Sequence, residues 1–313
     1  LLLGKEERHN NNNNNGGSSS GGVDVDHVEA LLQDKEHCRG VALHWAKEPP
    51  PSTLTKRDQN NNGGLSFQRR HFPKDSRTDC WFCLASPSCE RHLISSVHDQ
   101  VYVAMPKGPV DPGHVLLVPV THTSKGVLGD ANASGIAEEM DELKAQLRKH
   151  AHDVYQKNMF VFERAIQTKG GYHTHIQCIP IEKDLSTTKL EATMMGMAKS
   201  IPGFDLKEIN SDLALSGIIQ GSDDDDDDVD GGYFYAEVPV SATEFKRFLY
   251  RDRGTTKKRA VVPLQFGREV IASLMGKPDF AHWKACVVDQ EQETELTVAF
   301  RESFAKYHTS DGE

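Results

Sequence analysis

Apolar runs alternate with polar loops between residues 101 and 181, and their order predicts the fold. The runs VYVAMP (101–106) and HVLLVPV (114–120) flank KGPVDPG, a loop rich in glycine and proline, which predicts two adjacent strands in a hairpin. Residues 134–157 then have charges on one face and apolar residues at helical spacing on the other: Ile136, Met140, Leu143 and Leu147. MFVFER (159–164) and YHTHIQCIPI (172–181) predict two more strands. This order indicates an α+β fold with a mainly antiparallel sheet and a long helix on one face.

The second half of the chain predicts a smaller α+β region. After a helical and loop-like stretch, YFYAEVPV (233–240) predicts a strand, a helix is expected from Pro263, and a last helix over residues 290–307. We therefore place one region at 69–185 and a second at 186–313.

Residues 1–68 are mostly asparagine, glycine, serine and proline tracts. Such a stretch buries too little apolar surface to offset the loss of chain entropy on folding. We expect a disordered linker, with a possible short docking helix inside it.

Charge is distributed unevenly over the 313 residues, whose net charge is −10. Six consecutive aspartates at 223–228 predict a solvated acidic loop over residues 222–230. Residues 246–259 hold seven basic side chains: Lys246, Arg247, Arg251, Arg253, Lys257, Lys258 and Arg259. Phe248 and Tyr250 interleave them, which suits contact with the phosphates and bases of RNA. The alternative is an exposed loop or hairpin.

No uninterrupted apolar stretch approaches the roughly 18 residues of a membrane-spanning helix, so no membrane partner is expected. The six cysteines are mostly scattered, unlike a secreted disulfide framework. Cys80 and Cys83 form a Cys-x-x-Cys pair, which indicates a metal site or redox chemistry.

The stretch GGYHTHIQCIP (170–180) places three polar side chains at alternating positions: His173, His175 and Gln177. Alternate residues of a strand share a face, so the three are expected to face a cleft or solvent while Ile176 and Cys178 pack beneath the sheet. The preceding double glycine would let a ligand approach the backbone.

This His-x-His-x-Gln strand, preceded by HVLLVPVTH (114–122), resembles the histidine triad (HIT) superfamily of nucleotidyl hydrolases and transferases. CWFCLASPSCERHLI (80–94), FERAIQTKGGYHTHIQCIP (162–180) and PLQFGREVIAS (263–273) extend the resemblance to the CwfJ/Cwf19-like family, over roughly residues 69–308. Proteins of the Cwf19-like 1 and Drn1 type usually carry an N-terminal metallophosphoesterase-like domain. Nothing here matches that domain and the chain begins with Leu1, so we expect a fragment of a longer protein.

The resemblance implies a role for each histidine. His175 would be the nucleophile that attacks an α-phosphate, and Gln177 would hold a phosphate oxygen or the leaving group. Because glutamine cannot act as a general acid, it fits transfer or binding better than fast hydrolysis. Lys107 and His114 are weaker candidates for phosphate contacts; an exposed lysine and a buried structural histidine are their alternatives.

A structural zinc ion is the implied cofactor. In HIT relatives with a Cys-x-x-Cys, a Cys₂His₂ site would here be Cys80, Cys83, His122 and His173. His92 rivals His122 as the third ligand because it lies near the cysteine pair in the sequence. The alternative is two packed thiols without a metal.

The resemblance implies a nuclear, spliceosome-associated RNA-processing factor that binds RNA or phosphate in a HIT-like pocket and assists intron lariat debranching and turnover. Its partners would be RNA, spliceosomal proteins and the lariat-debranching enzyme. The alternative is an active nucleotidyl hydrolase or transferase with a phosphohistidine on His175. A scaffold with an empty cleft is disfavoured because both histidines are retained. The additional C-terminal half favours the RNA-processing factor, since a minimal HIT enzyme does not need such a region.

Overall fold

A computed structural model describes most of the chain from residue 80 onward. The described residues are 80–121, 126, 134–166, 173–185, 187–210, 232–252 and 261–307. The predicted linker at 1–68 and the predicted acidic loop at 222–230 lie outside them.

Eight strands of the described chain form one antiparallel sheet. They are β1 (Ile94–Val97), β2 (Val101–Ala104), β3 (Val115–Pro119), β4 (Lys157–Ala165), β5 (Ile176–Glu182), β6 (Lys207–Ile209), β7 (Tyr233–Pro239) and β8 (Phe245–Arg251). Their order across the sheet is β1-β2-β3-β5-β4-β7-β8-β6. The predicted hairpin is confirmed as the pair β2 and β3. Because β4 pairs with β7, the sheet continues from the first predicted region into the second.

In the described ranges, four α-helices accompany the sheet: α1 (Ser134–Val154), α2 (Thr187–Lys199), α3 (Phe266–Leu274) and α4 (Gln290–Phe304). The predicted α+β fold with a long helix is confirmed. None of the helices in the described part of the chain is long and apolar enough to cross a membrane.

The core lies on both faces of the sheet. Neighbouring residues of β4 point to opposite faces, so Phe160 and Phe162 join one cluster while Met159 and Val161 join another. The second cluster contains the apolar stripe predicted for α1 (Ile136, Met140, Leu143 and Leu147). Phe266 and Val270 of α3 belong to the first cluster, which places this helix against the opposite face of the sheet.

Two strand predictions differ from the structure. The strand β5 begins at Ile176, so His173 and His175 lie in the extended segment before it. In this segment, hydrogen bonds from side chains replace those of the strand ladder: the His173 ring donates to the carbonyl of Pro119, and the Thr174 hydroxyl donates to Glu163.

The first part of the basic segment is strand β8, which pairs with β7. Phe248 is 1% exposed and Tyr250 is 5% exposed, and both belong to the hydrophobic core. The prediction that these rings interleave with cations to contact bases is therefore wrong. Alternation along a strand turned the two aromatic side chains inward.

Candidate active site and metal centre

Three side chains that are far apart in the sequence form a thiol–imidazole cluster. The Nδ1 atom of His173 lies 3.5 Å from Sγ of Cys80 and 3.8 Å from Sγ of Cys83. Cys83 and His173 are buried, and Cys80 is half-buried. The three ligand atoms lie within 4.8 Å of one another, so the cluster could hold a metal ion.

Hydrogen bonds around the cluster orient its ligand atoms. Nε2 of His173 lies 2.8 Å from the carbonyl oxygen of Pro119, to which it donates, so the lone pair of the ring is on Nδ1, facing the sulfurs. The backbone N–H of Phe82 donates to Sγ of Cys80 at 3.4 Å. A Cys₂His donor set with a fixed imidazole suits zinc, whose structural sites use thiolate and imidazole ligands.

His122 and His92 are the two candidates for a further metal ligand. His122 lies outside the described residues, three positions after Pro119. His92 does not join the cluster: its Nε2 lies 2.8 Å from a carboxylate oxygen of Glu293 on α4. Glu90, His92 and Glu293 form a separate group whose ligand atoms lie close together.

Thr174 anchors the segment that carries both histidines. Its hydroxyl donates to one carboxylate oxygen of Glu163 at 2.6 Å, and the hydroxyl of Tyr233 donates to the other at 2.6 Å. Thr174 and Glu163 are fully buried. The anchor fixes the backbone between His173 and His175.

His175 and Gln177 line a cavity of about 290 Å³. The Nδ1 atom of His175 lies 3.3 Å from the carbonyl oxygen of His173 and donates to it, which leaves the lone pair on Nε2. Burial lowers the pKa of His175 to about 4, opposed in part by that hydrogen bond, so the ring is neutral near pH 7. The centroids of the Phe82 and His175 rings lie 4.9 Å apart.

His114 is fully buried beside this cavity rather than lining it. Its Nδ1 accepts a hydrogen bond from the backbone N–H of Val110 at 3.3 Å, so its proton is on Nε2. Burial, followed by the Arg268 charge, holds the pKa of His114 well below its ordinary value, and Gln177 partly opposes this shift.

Lys107 does line the cavity, and it is held by Glu90. Nζ of Lys107 lies 2.5 Å from the Glu90 carboxylate, and this hydrogen bond raises the pKa of Lys107. Arg164 also lines the cavity and donates to the carbonyl of Val262 at 3.0 and 3.2 Å. The cavity therefore has cations at its wall together with a carboxylate.

Several cavity residues escaped the sequence reasoning. Trp81, Phe82, Trp283 and Arg268 all line it, and the last two come from the second predicted region. Trp81 and Phe82 lie between Cys80 and Cys83, and two aromatic residues in this position could have indicated a ligand-binding surface beside the predicted metal site. Nothing in the periodicity of the chain identifies Arg268 or Trp283, although Arg268 lies in the quoted segment PLQFGREVIAS.

The described part of the basic segment, residues 246–252, does not line the cavity. Lys246 on β8 pairs with Glu191 at 3.0 Å and with Glu208 at 3.6 Å. Arg247 and Arg251 are half-buried on the same strand. Arg253, Lys257, Lys258 and Arg259 lie outside the described residues.

Two family models match the chain. Residues 68–194 match "Protein similar to CwfJ C-terminal", and residues 228–309 match "Protein similar to CwfJ C-terminus 2". The cavity combines residues from both matched segments, since Trp81 and His175 lie in the first and Arg268 and Trp283 in the second.

Curated relatives agree with these matches. CWF19-like protein 1 of Xenopus laevis is 32% identical over 257 residues, which cover 80% of this chain and 43% of the relative. CWF19-like protein 1 of Homo sapiens is 32% identical over 73% of this chain and 38% of the relative. Zinc finger CCCH domain-containing protein 64 of Arabidopsis thaliana is 30% identical over 73% of this chain and 35% of the relative. The chain thus spans less than half the length of these relatives. The motifs, the two family models and these relatives agree that the chain belongs to the CwfJ/Cwf19-like family.

Proposed function

We propose that this chain is a CwfJ-type RNA-processing factor whose HIT-like pocket binds a nucleotide phosphate beside His175. Through this pocket it would act in mRNA splicing in the nucleus, where it assists intron lariat debranching and turnover together with spliceosomal proteins and the debranching enzyme. The observation that carries the proposal is the cavity itself. Cations and aromatic rings line one space around His175 and Gln177.

The composition of the cavity wall supports a nucleotide over a purely apolar ligand. Trp81 lines the cavity and is 64% exposed, and the Phe82 ring lies against the His175 ring. Aromatic faces of this kind stack on nucleobases, which is the common mode of single-stranded RNA recognition. Lys107 and Arg164 supply positive charge for phosphate oxygens. The cations at 246, 247, 251, 253 and 257–259 remain candidates for added contact with the RNA backbone.

A second candidate function is nucleotidyl transfer or hydrolysis on His175. It is favoured by one observation: Nδ1 donates to the chain's own backbone, so the lone pair of the ring is on Nε2, the nitrogen that would attack. Nε2 would form a bond to the α-phosphorus while the bond from phosphorus to the leaving oxygen breaks, and solvent would protonate the leaving oxygen. Water or another acceptor would then displace the histidine. Gln177 would hold a phosphate oxygen by donating a hydrogen bond.

A structural zinc ion on Cys80, Cys83 and His173, with His122 as the fourth ligand, belongs to the same proposal. The donor set and the fixed imidazole tautomer support it. When bound, zinc would tie the turn that carries Trp81 and Phe82 to the segment that carries His175. Its contribution would be to position the pocket rather than to take part in chemistry.

The two functions separate in one experiment. The 313-residue chain and His175→Ala are each mixed with a branched RNA, a linear RNA of the same sequence, and α-labelled nucleotides. Binding is measured by fluorescence anisotropy. Covalently attached label is measured after a denaturing quench. The binding proposal expects nucleotide and RNA binding, with branched RNA preferred. Label retained by the parent chain and lost in His175→Ala would favour the enzyme. Neither binding nor label would overturn both.

A further inference from the structure

From the geometry of α3 we infer that the second family region builds a phosphate subsite into the pocket, with Arg268 as its anion-binding residue. The ligand would be the phosphate of a nucleotide, either a nucleoside monophosphate or a phosphodiester of RNA. This inference rests on the proposed function, which it deepens, because it assigns the phosphate to a residue that the histidine motif does not contain.

Arg268 is a buried cation that lines the cavity. Its side chain is fixed from one side: Nη2 donates to the carbonyls of Gly108 at 3.1 Å and Phe280 at 3.0 Å, and Nε donates more weakly to Ala281. Only 2% of the residue is exposed. Nη1, which carries two N–H donors, makes none of these bonds.

No carboxylate pairs with this guanidinium within the described chain. Its other polar contact is Sγ of Cys286 at 3.6 Å, and its pKa is lowered chiefly by burial. A buried charge that meets carbonyl dipoles but no opposite charge is costly, and a bound anion removes that cost. The positive charge reaches the histidine side of the cavity, because it depresses the pKa of His114.

The beginning of α3 adds a second feature that favours an anion. Leu264 and Gln265, which precede the helix, line the cavity, and Gln265 makes no side-chain capping hydrogen bond. Backbone N–H groups at a helix start carry a partial positive charge and bind phosphate readily. The first turn carries one carboxylate, Glu269, which does not line the cavity, and no side-chain cap at Gln265 satisfies the first backbone N–H groups.

Two glycines bring α3 and its neighbours close enough to form the subsite. A Cβ atom at Gly267 would lie 2.4–2.5 Å from the Phe162 ring, so only glycine lets the helix approach the sheet this closely. Gly108 has a φ of +67° and a Cβ there would lie 2.1 Å from the carbonyl of Trp283. The loop after Lys107 therefore packs directly on the turn that carries Trp283 into the cavity.

The ligand is therefore expected to touch both family regions at once. Trp81 and His175 would meet it from the first region, and Arg268 and Trp283 from the second. The cations that the first region supplies, Lys107 and Arg164, already bind Glu90 and the Val262 carbonyl, so Arg268 would be the main anion-binding residue. Phosphate recognition would then depend on the second region, which the histidine motif alone does not reveal.

The test compares each nucleoside with its 5′-monophosphate in the same protein, by isothermal titration calorimetry on the 313-residue chain. A buried charge-assisted contact predicts that the parent chain binds the monophosphate roughly ten- to hundredfold more tightly than the nucleoside. Arg268→Gln should reduce this ratio by about tenfold or more while nucleoside binding is unchanged. A short RNA with a terminal phosphate, compared with its dephosphorylated form and with a one-nucleotide-shorter strand, separates a terminal phosphate from an internal phosphodiester.

Arg301→Gln is the matched control. Arg301 also clamps backbone carbonyls of the first region from a C-terminal helix, at 2.9 and 3.1 Å, but it does not line the cavity. Its variant should keep the parent ratio. Arg268→Lys, which retains the charge, should keep part of the ratio and covers the case in which Arg268→Gln does not fold.

Two results would count against the inference, and they are distinguishable. If Arg268→Gln or Arg268→Lys binds nucleotides with the parent ratio, the phosphate lies elsewhere and only the inference fails. If the folded parent chain binds no nucleoside, monophosphate or RNA, the proposed function fails and the subsite fails with it.

Discussion

Sγ of Cys80 and Nδ1 of His173 lie 3.5 Å apart although 93 positions separate the two residues in the chain. The contact joins the turn at the start of the described chain to the segment before β5. Because that segment also carries His175, whatever holds Cys80 against His173 also shapes the cavity.

Replacing a cluster thiol is expected to remove a bound metal. Protein purified in the presence of zinc should contain one equivalent, and Cys83→Ser should contain much less. The loss should lower the thermal midpoint by roughly 5–10 °C, as expected when about 2–3 kcal/mol of folding free energy is lost from a domain of this size. Metal content is measured by inductively coupled plasma mass spectrometry and unfolding by circular dichroism.

Cys89→Ser is the matched control for the metal prediction. Cys89 is half-buried in the same turn region but does not belong to the thiol–imidazole cluster. Its variant should retain one equivalent of zinc. Equal zinc content in parent and Cys83→Ser would contradict the proposed site, as would a parent chain without zinc whose stability resists a chelator.

Adding one methyl group to Gly267 is expected to damage both stability and the pocket. The new Cβ would overlap the Phe162 ring, which lines the cavity, and overpacking of this kind costs about 1–3 kcal/mol. Gly267→Ala should therefore lower the free energy of unfolding in urea and weaken nucleotide binding. Gly196→Ala provides the contrast because nothing lies within 4 Å of a Cβ there, inside α2. It should stabilise the protein by about 0.5–1 kcal/mol. Similar effects from both substitutions would contradict the close packing of α3.

The elements of the sheet could be predicted from the sequence because hydrophobic periodicity is local. The apolar runs of β2 and β3 and the stripe of α1 are each complete within one short window. The Cys80–Cys83 pair was visible for the same reason. Local patterns did not reveal that β8 turns Phe248 into the core, since charged neighbours in sequence suggested an exposed segment.

The second half of the pocket could not be predicted, because it depends on contacts between distant parts of the chain. Arg268 meets the carbonyl of Gly108 across 160 positions. Its neighbours in sequence describe an ordinary amphipathic helix start. Only the packed structure shows that its hydrogen bonds within the described chain go to carbonyls and not to a carboxylate.

Substitutions of Trp81, which lines the cavity, and of Phe248, which lies in the core, should have opposite effects on binding and stability. Trp81→Ala should weaken nucleoside binding by about five- to a hundredfold, since stacking of one base contributes about 1–3 kcal/mol, with little change in the thermal midpoint. Phe248→Ala should destabilise the fold by about 3–5 kcal/mol because the ring is 1% exposed, with unchanged affinity of the folded fraction. Titration calorimetry and urea unfolding check both. If Phe248→Ala folds stably but loses affinity for RNA, Phe248 contacts RNA and the core assignment is contradicted.

Glu237 on β7 joins the two family regions through a fully buried ion network. Its carboxylate accepts hydrogen bonds from Nζ of Lys144 at 2.7 Å, from the Arg148 guanidinium, and from the hydroxyl of Tyr235 at 2.9 Å. Glu237→Gln leaves two cations near a neutral side chain, so we expect a loss of about 3–5 kcal/mol in the free energy of unfolding. Asp141→Asn is the control, because the exposed Asp141 also pairs with Lys144 and should contribute less than about 1 kcal/mol.

The same network predicts the sign of a pH dependence. Burial alone would raise the pKa of Glu237, but Lys144 and Arg148 lower it below its ordinary value of 4.5. A lowered pKa in the folded state means that the carboxylate stabilises the fold fully above pH 4.5 and progressively less as the pH falls through the folded-state value. Urea unfolding of the parent chain and of Glu237→Gln between pH 7 and pH 3 should therefore converge, with the difference shrinking toward low pH. A difference that stays constant over this range would show that Glu237 does not stabilise the fold through its charge.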